Sequence, residues 1–117
     1  MVTVKVSHEI KQDDIESLIV SAIEGGSNYW YRIESDTKGD YLKQALTVKG
    51  LVISNHGVQD EDKPREGALS IDTAAKALRL MAAQYPEHFQ DLINDSADAI
   101  TGDVFLQLAV LGEVVYG

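Results

Sequence analysis

The residues whose types and spacing could do joint chemistry are, first, acids. Glu87, Asp91, Asp95 and, more loosely, Asp98 fall at i, i+4, i+8 and i+11. On one continuous helix they would occupy about 80° of the circumference, opposite Phe89, Leu92 and Ile93. Such a ridge could imitate a phosphate backbone or dock on a basic partner; in its plainer meaning it is the solvated face of an amphipathic helix. Asn94-Asp95-Ser96 is also composition that breaks a helix, which would scatter the row. Asn94, Asp95, Asp98 and Asp103 could supply oxygen ligands to calcium or magnesium. They lack the alternating ligands, central glycine and terminal glutamate of an EF-hand loop, so no metal is expected. His8, His56 and His88 match no zinc spacing and are expected at the surface. Serines, histidines and carboxylates are present for a hydrolytic triad, but no Gly-x-Ser-x-Gly elbow accompanies them. Gly25-Gly26-Ser27-Asn28 lacks a phosphate-loop pattern and follows a helix where a phosphate loop precedes one, so it reads as helix termination with a left-handed residue. No cofactor is implied.

The second concentration of chemistry is aromatic. Tyr29, Trp30 and Tyr31 stand together, and such residues serve both small cores and binding hot spots. In a strand Trp30 would face opposite to its two neighbours, leaving one aromatic side outward unless a helix covers both faces. Core packing is the favoured reading, a contact surface the other.

Positioning these groups falls to a chain of 117 residues with 44% hydrophobic and 25% charged side chains, which suggests one domain, residues 1–117, able to build a core unaided. The absence of cysteine excludes disulfides, thiolate metal sites and cysteine nucleophiles. No secretory signal or membrane-spanning stretch is evident, so a soluble cytoplasmic protein is expected. The net charge is −9, and every lysine and arginine lies at or before Arg79, while residues 80–117 hold Glu87, Asp91, Asp95, Asp98, Asp103 and Glu113 and no base. That balance disfavours direct contact with nucleic acid or anionic lipid and favours a basic partner or simple solubility.

Val2, Val4 and Val6 alternate with polar residues as in a half-buried strand. Ile15, Leu18, Ile19, Ala22 and Ile23 predict a helix over 12–24, with Asp13, Asp14 and Glu16 favoured near its N-terminal dipole. Residues 29–33 read as a short strand or ordered loop. A further strand either carries a bulge at Gly50 or begins after it, and Ala68-Leu69-Ser70 returns antiparallel across an exposed, replaceable connection from Asn55 to Glu66. Ile71, Ala74, Ala75, Leu78, Ala82 and Tyr85 share the inward face of a helix capped by Ser70 or Asp72; Pro86 ends it and starts the next. Val104 to Leu111, capped by Thr101 or Asp103, is apolar nearly all round and belongs at the centre of the core. The expected class is α+β: a small antiparallel sheet packed with about four helices.

The stretches Glu24-Gly25-Gly26-Ser27-Asn28-Tyr29-Trp30-Tyr31 and Asp98-Ala99-Ile100-Thr101-Gly102-Asp103-Val104-Phe105-Leu106-Gln107, with the closing Gly112-Glu113-Val114-Val115-Tyr116-Gly117, resemble those of short phage- and prophage-encoded proteins of uncharacterised activity. The resemblance covers about a third of the chain and transfers no active site. It implies a mobile-element origin, a setting in which small acidic proteins often bind host proteins, including defence nucleases. The leading expectation is a non-enzymatic accessory protein that meets a basic host protein through Glu87, Asp91, Asp95 and Asp98, with Tyr29, Trp30 and Tyr31 as further contacts. The target class is a nucleic-acid-binding or defence protein. Two alternatives stand beside it: a ligand-binding protein or enzyme with a pocket near the aromatic segment, and a homo-oligomeric structural or assembly protein.

Overall fold

Eleven consecutive residues, Thr101 to Leu111, are buried on every side of one helix, and neighbouring elements pack around them. The computed structural model describes residues 8–37, 39–58 and 63–117. In chain order these form α1 (Gln12–Ser21), a single π-helical turn (Ala22–Gly26), β1 (Arg32–Ile33), α2 (Tyr41–Ala45), β2 (Leu51–Ser54), β3 (Glu66–Leu69), α3 (Ile71–Gln84), α4 (Pro86–Ile93) and α5 (Ala99–Leu111). The strand expected from Val2, Val4 and Val6 lies outside the described residues. The described strands make an antiparallel sheet in the order β1-β2-β3, with Ile33 opposite Ile53 and Leu51 opposite Leu69. The class is α+β, and the apolar helix α5 is central, packed by α1, the π turn, α3 and β3.

Helix α1 does not end as its glycines suggest. Neither Gly25 nor Gly26 takes a positive φ; the helix widens into a π turn closed by Ser27 N–H donating to the Ala22 carbonyl at 2.8 Å. Gly26 serves close approach: a Cβ there would lie 2.0 Å from the Ala99 carbonyl oxygen. Gly102 on the facing helix is similarly tight, its would-be Cβ 3.0 Å from the Leu18 carbonyl oxygen. Absent side chains at both positions let the end of α1 cross the start of α5 at backbone contact.

Other boundaries are set locally, some as expected and some not. β2 begins after Gly50, and the residues before it include the short helix α2, started by Asp40, whose carboxylate accepts from Lys43 N–H at 3.0 Å. Ser70 caps α3 in a capping box with Thr73. The inward face of α3 is Ala74, Ala77, Leu78 and Met81; Ile71 is 50% exposed and Ala82 is exposed, because the helix is rotated to set Ala77 and Met81 into the core. Helix α5 starts a turn earlier than read from the sequence. Its cap is Asp98, accepting from Thr101 N–H at 2.9 Å, and Thr101 and Asp103 lie inside the helix. The connection after Asn55 is not simply an exposed loop. Asn55 is fully buried, donates to the Lys63 carbonyl and accepts from Arg65 N–H, and Gly57 N–H donates to the Trp30 carbonyl. Wholesale replacement of residues 55–66 would remove these bonds.

Candidate functional site

Tyr29, Trp30 and Tyr31 lie not in a strand but in and just after the turn that follows the π helix. The turn drives Trp30 fully inside while Tyr29 remains 46% exposed. Their polar ends converge on one carboxylate. Asp103 Oδ1 accepts from Ser27 Oγ and Trp30 Nε1, each at 2.7 Å, and Oδ2 accepts from Tyr29 OH at 2.6 Å. Tyr31 OH instead donates to the Ile23 carbonyl. Asp103 is only 8% exposed, and no described ion pair includes it. Three donors therefore take the place of a countercharge. One helical turn on, Gln107 continues the network: its Oε1 accepts from Val115 and Tyr116 N–H, and its Nε2 donates to the Tyr116 carbonyl. The only polar side chains buried in the second half of α5 and in its middle thus tie three separate stretches of chain together.

This network perturbs Tyr29, whose pKa rises from 10.0 to about 12 through burial first, then through its bond to Asp103 and that carboxylate's charge. A raised folded-state value means the stabilisation is complete below pH 10 and is lost as the pH rises through about 12. Absorbance titration at the tyrosinate band is expected to show this phenol ionising near pH 12, and Tyr29→Phe is expected to flatten the alkaline loss of stability between pH 10 and 12. An unchanged slope in Tyr29→Phe would mean that the proton on Tyr29 is not what couples folding to pH.

A second polar cluster sits at the β1–β2 edge. Glu34 Oε1 accepts from Arg32 Nε at 2.8 Å and Ser54 Oγ at 2.6 Å and lies 3.0 Å from His56 Nδ1. These bonds, Arg32's foremost, lower the Glu34 pKa to about 2. Serine, histidine and glutamate are the residue types of a hydrolytic triad, but their arrangement here is not one. Ser54 Oγ donates directly to the carboxylate instead of to the imidazole, and Ser54 is fully buried. Among the described residues no group of three metal-binding side chains stands together, and no described helix is long and apolar enough to cross a membrane. His8 and His56 are exposed, whereas His88 is partly buried with Nδ1 2.9 Å from Thr101 Oγ1.

The acidic row is divided. Helix α4 stops at Ile93, and its end is closed by Ser96 N–H to the Asp91 carbonyl and Asp95 N–H to the Leu92 carbonyl, with Asp95 itself at φ +56. That is a Schellman closure with aspartate in the left-handed position usually held by glycine. Glu87 and Asp91 stay on α4, Asp95 belongs to the connection, and Asp98 is turned to cap α5. The Thr101 backbone N–H holds the Asp98 carboxyl below its ordinary pKa. Four carboxylates on one continuous helix therefore do not exist.

The tertiary structure builds a different acidic surface. Asp95 lines a depression of about 150 Å³ together with Asp14, Ser17 and Ser21 of α1. Ser17 and Ser21 also line the adjoining one, which carries Asp13 and Glu16. Among the described residues no basic side chain lines either depression. Helical periodicity on α4 alone gave no sign of this pairing with α1. On another side, Ile10, Ile15, Leu46, Ile71 and Leu78 line an apolar groove beside α3. No family model, curated protein or solved structure matches this chain.

Proposed function

We propose that this chain is a non-enzymatic accessory protein of phage or prophage origin that acts in the host cytoplasm by binding a basic host protein, its target class a nucleic-acid-binding or defence protein. The origin rests on the resemblance of the Glu24–Tyr31, Asp98–Gln107 and Gly112–Gly117 stretches. The binding role rests on one observation: Asp13, Asp14, Glu16 and Asp95 border two adjoining depressions that, among the described residues, are lined by no base. A concave surface of one sign favours encounter with lysine- or arginine-rich surfaces and resists anionic ones. Glu87 and Asp91 on α4 extend the negative charge available to such a partner.

The test is affinity capture from the native host, followed by association kinetics of the captured protein with wild type and with a variant carrying Asp13→Asn, Asp14→Asn, Glu16→Gln and Asp95→Asn. Loss of the favourable first-turn charges on α1 should cost stability by no more than about 1–2 kcal/mol, and asparagine tolerates the left-handed conformation of Asp95. Association at low salt is expected to slow by about tenfold or more, with the difference shrinking as salt screens the charges. Equal rates for both proteins would mean that these acids only solvate the surface. A second reading, self-association as an assembly protein, is favoured by the apolar groove beside α3, and capture that returns only further copies of the chain would support it instead.

A further inference from the structure

The segment after α5 lies across the core as a strap with few and specific anchors. Helix α5 ends at Gly112, which takes φ +79 and around which a Cβ would meet no neighbour within 4 Å. Glu113 and Val115 are exposed. Glu113 meets Arg65 at 3.7 Å with both side chains well solvated, a weak tether. Three buried side chains then read the strap. The Gln107 amide treats Val115–Tyr116 as a short piece of partner backbone, accepting from both N–H groups at 2.8 and 2.9 Å and donating to the Tyr116 carbonyl at 3.0 Å. The Trp30 indole stacks on the Tyr116 ring, centroids 5.9 Å apart and planes 26° from parallel. Asn55 Nδ2 donates to the Tyr116 hydroxyl at 3.1 Å.

These anchors sit on independently held elements. Trp30 is fixed by Asp103, Asn55 by the Lys63 and Arg65 backbone, and Gln107 by the helix that forms the centre of the core. The site therefore persists when the strap leaves, and what it recognises, two consecutive peptide units and an aromatic ring with a hydroxyl, is not tied to the covalent link at Gly112. We infer that Gln107, Trp30 and Asn55 form a binding site for an extended peptide bearing a tyrosine, filled in cis by Val115–Tyr116. The strap opens about Gly112 without unfolding α5 and exposes the site to the same segment of a second copy of the chain. Exchange of one element between copies needs only a hinge and an unaltered docking site.

The probe is a fluorescein-labelled, capped hexapeptide Gly-Glu-Val-Val-Tyr-Gly, titrated by anisotropy against full-length wild type and the full-length Tyr116→Ala variant. In the wild type the tethered strap competes at an effective concentration of about millimolar. The variant lacks that competitor and is expected to bind the peptide at least about tenfold more tightly. A peptide with alanine in place of tyrosine is expected to lose that binding. A folded Tyr116→Ala protein that ignores the peptide, or that binds the alanine peptide equally, would overturn the inference. Should the variant fail to fold, amide exchange on the wild type decides. The Val115 and Tyr116 amides are expected to exchange about a hundredfold faster than the core of α5 and independently of low denaturant, as local opening requires. Exchange of these amides only together with α5 would show that the strap is part of the global fold and would equally overturn the inference.

Discussion

Asp103→Ala is expected to lower the unfolding free energy by about 3–5 kcal/mol, from the ordinary cost of about 1–3 kcal/mol for each buried polar group left without its partner. The loss is dominated by Ser27 Oγ and Trp30 Nε1, which both lie in fully buried residues and both donate to Asp103 Oδ1. Tyr29, 46% exposed, recovers part of its bond from water. The truncation also leaves a small void beside Trp30, which adds to the cost. Asp103→Asn separates charge from geometry. Its amide oxygen still accepts from Ser27 and Trp30, and its nitrogen can donate to the Tyr29 hydroxyl, whose own proton then turns outward. That variant is expected to lose only about 1–2 kcal/mol, the difference between charged and neutral hydrogen bonds. Urea denaturation of the three proteins checks both numbers. A loss below about 1 kcal/mol in Asp103→Ala would mean that the donors find other acceptors and that the carboxylate does not hold the aromatic turn.

Leu108→Asp is expected to leave the chain unfolded at room temperature. Leu108 is 1% exposed near the C-terminal end of α5, flanked by Gln107 and Ala109, which are also buried. Shortening to alanine there should cost about 2–5 kcal/mol through lost burial and a residual cavity. A carboxylate adds the expense of a charge with no donor to meet it. Against a total stability of about 5–15 kcal/mol for a domain, the sum removes most or all of the folded population. Leu108→Met, which keeps volume and polarity, should cost less than about 1.5 kcal/mol. Far-ultraviolet circular dichroism and thermal melts distinguish the three. A cooperative melt near the wild-type temperature for Leu108→Asp would place this residue at the surface.

What could be read from the sequence alone was what depends on neighbours within one or two turns. Pro86 divides α3 from α4 because proline is accepted at a first helical position and refused inside one, and α3 starts at a serine whose cap is local. The nearly all-apolar run Val104 to Leu111 placed α5 at the centre of an α+β fold, since no surface position tolerates such a helix. The antiparallel return of β3 on β2 followed from alternation and an intervening polar connection. Periodicity fared less well where two faces competed: of the expected face Ile71, Ala74, Ala75, Leu78, Ala82 and Tyr85, Ala74 and Leu78 are buried, yet Ile71 and Ala82 are exposed and the helix turns Ala77 and Met81 inward beside them, a choice made by packing against α5.

Tertiary structure alone decided the candidate sites. The four-acid ridge failed because a single left-handed residue, Asp95, ended its helix, and the acid surface that exists joins Asp95 to Asp14, side chains that only folding brings together. Asp103 meets Ser27, Tyr29 and Trp30 across 73 to 76 residues of sequence. One signal for that network was present: Asp103 and Gln107 stand a turn apart in an otherwise apolar helix, and buried polar groups require partners. The requirement is local, but the identity of the partners is not. Hydrogen-bond need is written in each residue's chemistry, whereas its satisfaction depends on which distant chain segment the packing of the core delivers to that spot.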